Sequence, residues 1–453
     1  MLGPWLWSSV DSAKSNLPTL DYRDQYDYGY QYPGSDSLGP PCPPWTKRIL
    51  PLVQRAASAG STGEDEYTWP QRKVPLLRSR RTVRLGSSSF SAEQQGGLQS
   101  TCGIECQRNL AEPSLVMLEN MLSYETLYEN GTRTLTTIAL HQAADPTHLP
   151  TNSSSLRSRR KRAVYGLDTR FTIANKQYSL KYPFSTSVKI STGCSGVLLS
   201  PRHVLTAAHC VHNGLDYLKG TRKLSVGILR DQSRRRKGKR GKGGKRRRGK
   251  EAREVSGGDE HGEEKKRERK SKGRRNRSRR SAETGPPSFR WTRVRQTQVP
   301  KGWFKDVGDG TRADYDYAVL ELKRAQKSQH MDLGIIPSVT KLPAGRIHFS
   351  GFDDDRPGNL VYRFCSVSEE SNELLYQYCD AKPGSSGAGV YVRLKEPGKR
   401  KWKRKVIGVF SGHQQVELNG AQQDYNVAVR ITPPKFAQIC YWVYGDSSQC
   451  QTT

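Results

Sequence analysis

The chain has 453 residues, enough for two or three domains of ordinary size, and a formal net charge of +32. No apolar run is long enough to cross a bilayer, which excludes a membrane-spanning protein. The nine cysteines form no paired C-x2-C module, so their pattern excludes a paired-cysteine zinc site and favours a secreted protein with disulfides.

One feature at the start of the chain disagrees with secretion. The first residues, MLGPWLWSSVDSAKS, have neither a basic n-region nor a sustained apolar core. Either the true N-terminus lies upstream of this Met or the protein is not secreted, and the cysteines favour the first explanation. The sequons at Asn130, Asn152 and Asn276 also fit a glycosylated extracellular protein.

Residues 1–62 are rich in Ser, Gly, Pro, Asp and Tyr without a hydrophobic period, which predicts disorder. Residues 63–162 have a more normal composition, and apolar residues at helical spacing predict a helix near 114–128. The run RSRRKR at 157–162 is typical of a proprotein convertase site, with Ala163 as the new N-terminus after cleavage behind Arg162. We interpret 63–162 as a pro-region; the alternative is that the run is only a solvated basic loop.

After Ala163 the pattern changes to short β-branched and aromatic segments bounded by Gly, Pro, Asn and Ser, which predict strands. They are FSTSVKIST, CSGVLLS, HVLTAA, YAVLEL, IHFSGF, VYRFCSV, GVYVRL, VIGVFSG and YNVAVRIT. Their spacing predicts a barrel or sandwich rather than a sheet of alternating strands and helices. The segment 434–444 places Phe436, Ile439 and Val443 at helical spacing, which predicts a C-terminal helix. Residues 163–453 are therefore interpreted as one mainly β domain.

The hexapeptide LTAAHC delivers His209 directly after a predicted strand. Its neighbour Cys210 is placed to form a disulfide with Cys194, across a strand-turn-strand unit. A buried structural histidine is the alternative interpretation, and the whole hexapeptide favours catalysis. In DYAVLEL, Asp316 opens a buried strand and is the candidate to hold the imidazole, while Asp314 is a possible competitor.

The segment PGSSGAGVYV places Ser386 between Gly384 and Gly387. Glycines allow the sharp bend through which the backbone N–H groups of Gly384 and Ser386 would converge on an oxyanion. The order His, Asp, Ser is that of chymotrypsin-type enzymes, whereas α/β-hydrolases run differently. An ordinary Gly/Ser loop would be the interpretation if this segment stood alone.

A basic insert at 234–280 separates His209 from Asp316. It contains 24 basic and 7 acidic residues, and its removal shortens the separation from 107 to 60 residues, close to the need of one barrel half. We interpret it as a disordered surface loop that binds sulfated glycosaminoglycan in the extracellular matrix. A nucleic-acid patch is less favoured in a secreted protein, and a loop without a partner stays an alternative. A second convertase-like site ends at Arg280.

From about Tyr67 onward the sequence resembles the vertebrate group of serine protease 23 and serine protease 35, closest to serine protease 35. The resemblance is carried by STCGIECQ, RRKRAVYG, GCSGVLLSPRHVLTAAHCVH, DYDYAVLELKRA, IHFSGFDDDR and DYNVAVRITPPKFAQICYW. It implies secretion, a pro-region and an all-β, chymotrypsin-like double β-barrel. Serine protease 35 is usually described as inactive because some members replace the nucleophile, but Ser386 is present here.

Two departures from trypsin-like zymogens bear on activity. Those proteins mature when a new Ile or Val N-terminus pairs with an Asp before the nucleophile, whereas this chain has Ser385 and AVYG. The site could instead be preformed. Asp380, six residues before Ser386, would lie at the base of the substrate pocket and would favour basic P1 residues. Ser411 in VFSGH matches the serine beside the catalytic aspartate.

The remaining cysteines are expected to form the local pairs Cys365–Cys379 and Cys440–Cys450, while Cys42, Cys102 and Cys106 stay ambiguous. We expect no metal and no cofactor: His209, Cys210 and His212 lack a fourth ligand, and Asp353–Asp355 lack EF-hand spacing. The leading hypothesis is a secreted serine endopeptidase that acts on protein or peptide substrates. The alternative is an inactive homologue that serves as an extracellular binding module.

Overall fold

A computed structural model of the chain describes residues 68–71, 73–86, 90–92, 102–141, 168–230, 289–304, 312–340, 342 and 346–450. All of them belong to one compact unit, Ser61–Thr453. The predicted disorder of 1–62, the site at Arg162 and Ala163, and the insert 234–280 with Arg280 fall outside the described residues.

The described residues form seventeen strands, which lie in two sheets. In chain order these are β1 (Leu76–Leu85), β2 (Tyr124–Tyr128), β3 (Arg133–His141), β4 (Phe171–Ile173), β5 (Ser187–Ile190), β6 (Ser195–Leu198), β7 (His203–Thr206), β8 (Ser225–Leu229), β9 (Phe289–Pro300), β10 (Ala318–Leu322), β11 (Asp332–Leu333), β12 (Arg346–Gly351), β13 (Leu360–Glu370), β14 (Leu374–Gln377), β15 (Gly389–Lys395), β16 (Trp402–Leu418) and β17 (Ala421–Arg430).

The first sheet closes into a barrel. Its strands follow the order β5-β6-β7-β10-β9-β8, and β8 pairs with β5 to complete the ring. The long strand β9 also pairs with β2, so β2, β3 and β1 continue the same sheet outward from the barrel. Strands from both sides of Arg162 therefore share one sheet, while the division of the chain at that residue stays a prediction.

The second sheet closes in the same way. Strands β12-β13-β14-β17-β16-β15 form a ring, with β4 added to β13 and β11 added to β16. Strand interiors such as Val390–Val392 and Val406–Val409 are buried, because apolar side chains on the inner faces of both barrels leave water together. The chymotrypsin-like double β-barrel expected from the resemblance is confirmed.

Four short α-helices accompany the barrels among the described residues: α1 (Ile104–Asn109), α2 (Leu115–Leu122), α3 (Lys176–Ser179) and α4 (Pro433–Tyr444). The predicted C-terminal helix is confirmed as α4, which starts with proline and ends at Gly445 with φ +77°. None of the described helices is long and apolar enough to cross a membrane.

The helix predicted near 114–128 is only partly correct. Helix α2 begins behind Ser114, whose side chain accepts a hydrogen bond from the Met117 N–H, and ends at Leu122. Residues Tyr124–Tyr128 instead form β2, because pairing with β9 and β3 supplies long-range hydrogen bonds that outweigh local helical spacing. The Phe184–Thr186 part of a predicted strand is a 3-10 turn before β5.

Candidate active site

His209 and Asp316 meet at the edge of the first barrel. His209 lies in the turn after β7, and Asp316 lies two residues before β10, the strand that pairs with β7. The buried Asp316 carboxylate accepts two hydrogen bonds from His209: Oδ2 from Nδ1 and Oδ1 from the backbone N–H, both at 2.8 Å. Nδ1 thus carries the proton, and Nε2 is left as the basic nitrogen of the ring.

The second barrel completes the surroundings of this pair. The Ser411 hydroxyl, on β16, donates to Asp316 Oδ2 at 2.5 Å. Burial disfavours the charged form of Asp316, but His209 and Ser411 outweigh it and lower the pKa of this carboxyl. Burial likewise disfavours protonated His209, and Asp316 outweighs it, so the pKa of His209 is raised above its ordinary value. Asp316 is therefore ionised beside a strengthened base.

Ser386 lies in a tight turn before β15. The turn is fixed to the first barrel, since the Ser386 carbonyl accepts from the Ser195 N–H at 2.8 Å. Gly384 (φ +97°) and Gly387 (φ +83°) adopt backbone conformations that favour glycine. A Cβ on Gly387 would lie 2.2 Å from Thr206 Oγ1, and one on Gly384 would lie 2.4 Å from the Phe352 carbonyl oxygen. Both glycines are thus required sterically.

The directions of the Gly384 and Ser386 N–H groups are set by the hydrogen bonds of the carbonyl groups that precede them. The Pro383 carbonyl accepts from the Asp354 N–H at 2.8 Å, and the Ser385 carbonyl accepts from the Ala388 N–H at 3.1 Å. In a trans peptide the N–H points opposite to the C=O, so each of these bonds sets the direction of the amide that follows. Neither amide donates a hydrogen bond to another residue in the described ranges. Within the described ranges, both amides are thus without a protein acceptor.

The sequence has close relatives among known proteins. The profile of the Trypsin family matches residues 138–252. The chain is 57% identical over 394 residues to Inactive serine protease 35 of Homo sapiens, across 86% of this chain and 95% of that protein. It is 46% identical over 387 residues to Serine protease 23 of Homo sapiens, across 85% and 92%. The chain belongs to the trypsin-like family of serine protease 35 and serine protease 23.

The bovine Inactive serine protease 35 is 60% identical over 392 residues. The solved structure of Glu endopeptidase in complex with MPD aligns with 62% of this chain and 99% of its own length, at 18% identity and a TM-score of 0.39.

In trypsin-like proteins an aspartate precedes the nucleophile, and this member of the family has Ser385. The buried Ser385 side chain donates to the Lys382 carbonyl at 2.6 Å. The neighbouring Ser195 hydroxyl donates to the Gly384 carbonyl at 2.7 Å and accepts from the Phe352 N–H at 2.8 Å. The turn is therefore held by neutral hydrogen bonds to the segment 351–354.

That segment is in turn fixed by arginines. The Arg170 guanidinium, 9% exposed, donates to Asp353 Oδ2 at 2.8 Å and to Asp355 Oδ2 at 2.7 Å. The fully buried Arg363 donates to both oxygens of Asp353 at 2.6 Å. Arginines thus bind Asp353 and Asp355, two members of the aspartate run 353–355. Sequence reasoning missed Arg170 and Ser195, although three consecutive aspartates signalled that cations would be near.

Of the other predicted site residues, Ser411 contacts the His209–Asp316 pair, whereas Asp380 and Asp314 have other neighbours. Asp380 Oδ2 accepts from the Thr169 N–H at 2.8 Å and from its hydroxyl at 2.7 Å, so one carboxylate oxygen is occupied. Ser411 contacts Asp316, the role that the motif VFSGH indicated. Asp314 does not contact His209; it lies near Lys435 and Glu373, and burial raises its pKa to about 7.

Four disulfides join eight of the cysteines. The expected pairs Cys194–Cys210, Cys365–Cys379 and Cys440–Cys450 are present, and Cys102 pairs with Cys106. The first of them leaves no thiolate beside His209 to ligate a metal. Cys42, Asn152 and Asn276 lie outside the described residues. Asn130 is exposed in the turn between β2 and β3, where its side chain accepts from the Thr132 N–H at 3.0 Å.

Proposed function

We propose that this chain is a serine endopeptidase with Ser386 as nucleophile, His209 as general base and Asp316 as the residue that orients it. The observation that carries the proposal is the pair of hydrogen bonds from His209 to the buried, ionised Asp316. They leave Nε2 unprotonated on the ring, as a base for a serine requires.

The reaction follows from these positions. His209 Nε2 takes the proton of the Ser386 hydroxyl while Oγ attacks the peptide carbonyl carbon, and the carbonyl oxygen becomes an oxyanion. The Gly384 and Ser386 N–H groups stabilise that oxyanion. The protonated His209 then gives its proton to the leaving amine as the C–N bond breaks. Water attacks the acyl-enzyme with the same base and releases the acid.

The oxyanion site does not depend on a new N-terminus in this proposal. The direction of the Gly384 amide is set by the Asp354 N–H, which belongs to the turn that Arg170 and Arg363 hold through Asp353. Arg170 is thus proposed as a positioning residue, in the place of the ion pair between an N-terminal amine and an aspartate. We assign no P1 preference to Asp380, because Thr169 occupies one of its oxygens.

A catalytically inactive binding module is the second candidate. Two observations favour it: close relatives carry the name Inactive serine protease 35, and no hydrogen bond joins Ser386 Oγ to His209 Nε2 among the described contacts of these residues. Catalytic hydrogen bonds are often long or poorly aligned without substrate, so we retain the endopeptidase as the leading proposal.

The setting of this activity is proposed to be extracellular. A convertase would cut after Arg162 and in part after Arg280, glycans would occupy Asn130, Asn152 and Asn276, and the insert 234–280 would bind sulfated glycosaminoglycan. The exposed side chain of Asn130 supports glycosylation there.

Peptide-library digestion tests the endopeptidase. Secreted wild-type protein and Ser386→Ala are incubated with a diverse peptide mixture, and new termini are identified by mass spectrometry. New termini that only wild type generates support peptide hydrolysis. Identical digests from both proteins, with both bound equally to heparin, favour the binding module.

A further inference from the structure

The described residues ahead of the predicted convertase site are attached to both barrels. We call residues 68–141 the leading segment and residues 168–450 the body. Strand β2 of the leading segment lies between β3 and β9, and its residues 124–127 are buried. On β9, Gln298 pairs with Thr126 on one edge and with Val319 of β10 on the other. The leading segment is thus paired with β9, the neighbour of the strand β10 that follows Asp316.

Backbone hydrogen bonds extend this seam beyond the paired residues. The Lys301 N–H donates to the Ser123 carbonyl at 2.6 Å, and the Glu129 N–H donates to the Arg295 carbonyl at 2.8 Å. If the leading segment left, an edge of β9 would lose its partners, and buried unpaired amides and carbonyls are costly.

Side chains of the leading segment pack against the C-terminal helix. Tyr124, 6% exposed, stacks edge-to-face on Trp442 with ring centroids 5.3 Å apart. The Leu77 N–H donates to Ser447 Oγ at 2.8 Å, and that hydroxyl returns a hydrogen bond to the Leu77 carbonyl at 3.2 Å. Leu77 and Ser447 do not belong to β2 or β9, so the interface covers more than that pair of strands.

The second barrel also holds the leading segment. The buried Trp69 donates its backbone N–H to the Lys395 carbonyl at 2.9 Å and its indole N–H to the Lys403 carbonyl at 3.1 Å. The Tyr376 hydroxyl donates to Gln107 Oε1 at 2.5 Å in a buried contact. The leading segment therefore contacts both barrels and α4. This interface is more extensive than that of a peptide ligand that adds a single strand to a sheet edge.

Among the described residues, no disulfide joins the leading segment to the body. Each of the four disulfides joins cysteines within the leading segment or within the body. After cleavage at residue 162, noncovalent contacts alone would keep the parts together.

We propose that the leading segment is a permanent subunit of the protease fold rather than a removable propeptide. Cleavage after Arg162 then produces a two-chain protein in which the N-terminal fragment stays bound and continues the first sheet. Its release is not an activation step. This proposal concerns association alone and holds whether or not Ser386 is a nucleophile.

Controlled cleavage of the full chain tests the proposal. Residues 157–162 are replaced by the recognition site of a highly specific protease, and a C-terminal tag captures the body after digestion is complete by denaturing gel. We expect the N-terminal fragment to be captured in equal amount with the body in native buffer. It should be lost in guanidinium without reductant. A fragment that washes away in native buffer, with or without precipitation of the body, overturns the proposal.

Matched substitutions locate the interface. Tyr124→Ala removes a buried ring at the seam, whereas Val116→Ala truncates an apolar residue of the same segment that is 76% exposed. In the cut protein, Tyr124→Ala should release the fragment at least about tenfold faster than wild type, and Val116→Ala should not change the rate. Equal release rates for the two variants would contradict the interface described here. If Tyr124→Ala does not fold, hydrogen exchange of cut wild type decides: the amides of β2 must remain protected.

Discussion

The Asp316 carboxylate accepts hydrogen bonds from residues of both barrels. His209 contributes its ring and its backbone N–H from the first barrel, and Ser411 contributes its hydroxyl from the second. Because this carboxylate is buried, its three donors must persist or its charge becomes costly. The position of His209 is therefore fixed by the contact between the barrels and not by its own loop alone.

The pH dependence of a nucleophilic Ser386 follows from this pair. Only neutral His209 accepts the proton of Ser386, and its pKa is raised, so activity should be lost as pH falls through a midpoint above about 6.5. Asp316→Asn removes the charge that raises this pKa. The midpoint should then move to lower pH, and the rate should fall by about 10³–10⁴-fold.

The measurement is the rate of labelling by a fluorophosphonate probe between acidic and neutral pH. Asp314→Asn is the control, because Asp314 does not contact His209. An unchanged midpoint in Asp316→Asn would show that a group other than Asp316 determines the pKa of the base.

Arg170 is the residue whose role the sequence least revealed. Arg170→Met removes a guanidinium that joins Asp353 to Asp355, at a cost of about 1.5–3 kcal/mol in unfolding free energy. The labelling rate should fall by up to about 10²-fold because the Gly384 amide loses its fixed direction. Recovery of most of the rate by Arg170→Lys would be expected, since one cation can still reach Asp353.

Arg295→Met serves as the matched control. Arg295 is 62% exposed and pairs with Glu321 across β9 and β10, so its loss should cost at most about 1 kcal/mol and leave labelling unchanged. If both variants label like wild type at equal stability, Arg170 does not position the oxyanion site.

Sequence patterns identified candidate site residues more readily than the residues that support them. The motifs LTAAHC, DYAVLEL and PGSSGAG are short and local, and they follow one another in the order His, Asp, Ser. His209, Asp316 and Ser386 could therefore be named as candidates from the sequence. Ser195 and Arg170 could not, because their partners at 384 and 353 are distant in the chain. Only the folded barrels bring them together.

Among the elements, β1, β3 and β9 are three of the strands that the sequence did not predict. Strand β1 carries LLRSRRTVRL, whose four arginines obscure the alternation, and most of its side chains are exposed. Its strand conformation comes from the ladder with β3, from Leu76–His141 to Leu85–Arg133. The predicted barrel strands, such as β7 and β15, have buried apolar faces that give a clear period.

The basic insert joins β8 to β9, two strands that pair from Ser225–Arg293 to Leu229–Phe289. Deleting residues 234–280 should therefore leave the barrel intact. It should also remove most of the retention on heparin, because the Lys and Arg side chains of the insert would neutralise the anionic groups of heparin. The measurement is the salt concentration at elution together with probe labelling. Elution of the deletion variant at the same salt as wild type would place heparin binding elsewhere.

For the whole molecule, the two barrels and the leading segment form the fold before any cleavage. The Arg170 contacts lie within the uncut chain and need no new N-terminus. A variant with residues 157–162 replaced by a sequence that convertases do not cut should thus label as fast as cut protein. Labelling that appears only after cleavage would assign the activating role to Ala163.

The central claim is tested most directly by mapping the modified residue. Secreted wild-type protein, Ser386→Ala and His209→Ala are treated with a fluorophosphonate probe, digested and sequenced by mass spectrometry. We predict one modified peptide in wild type, with the phosphonate on Ser386, and none in either variant. Equal modification of wild type and Ser386→Ala, or no modification of any form at neutral pH, would contradict the assignment of this chain as a serine endopeptidase.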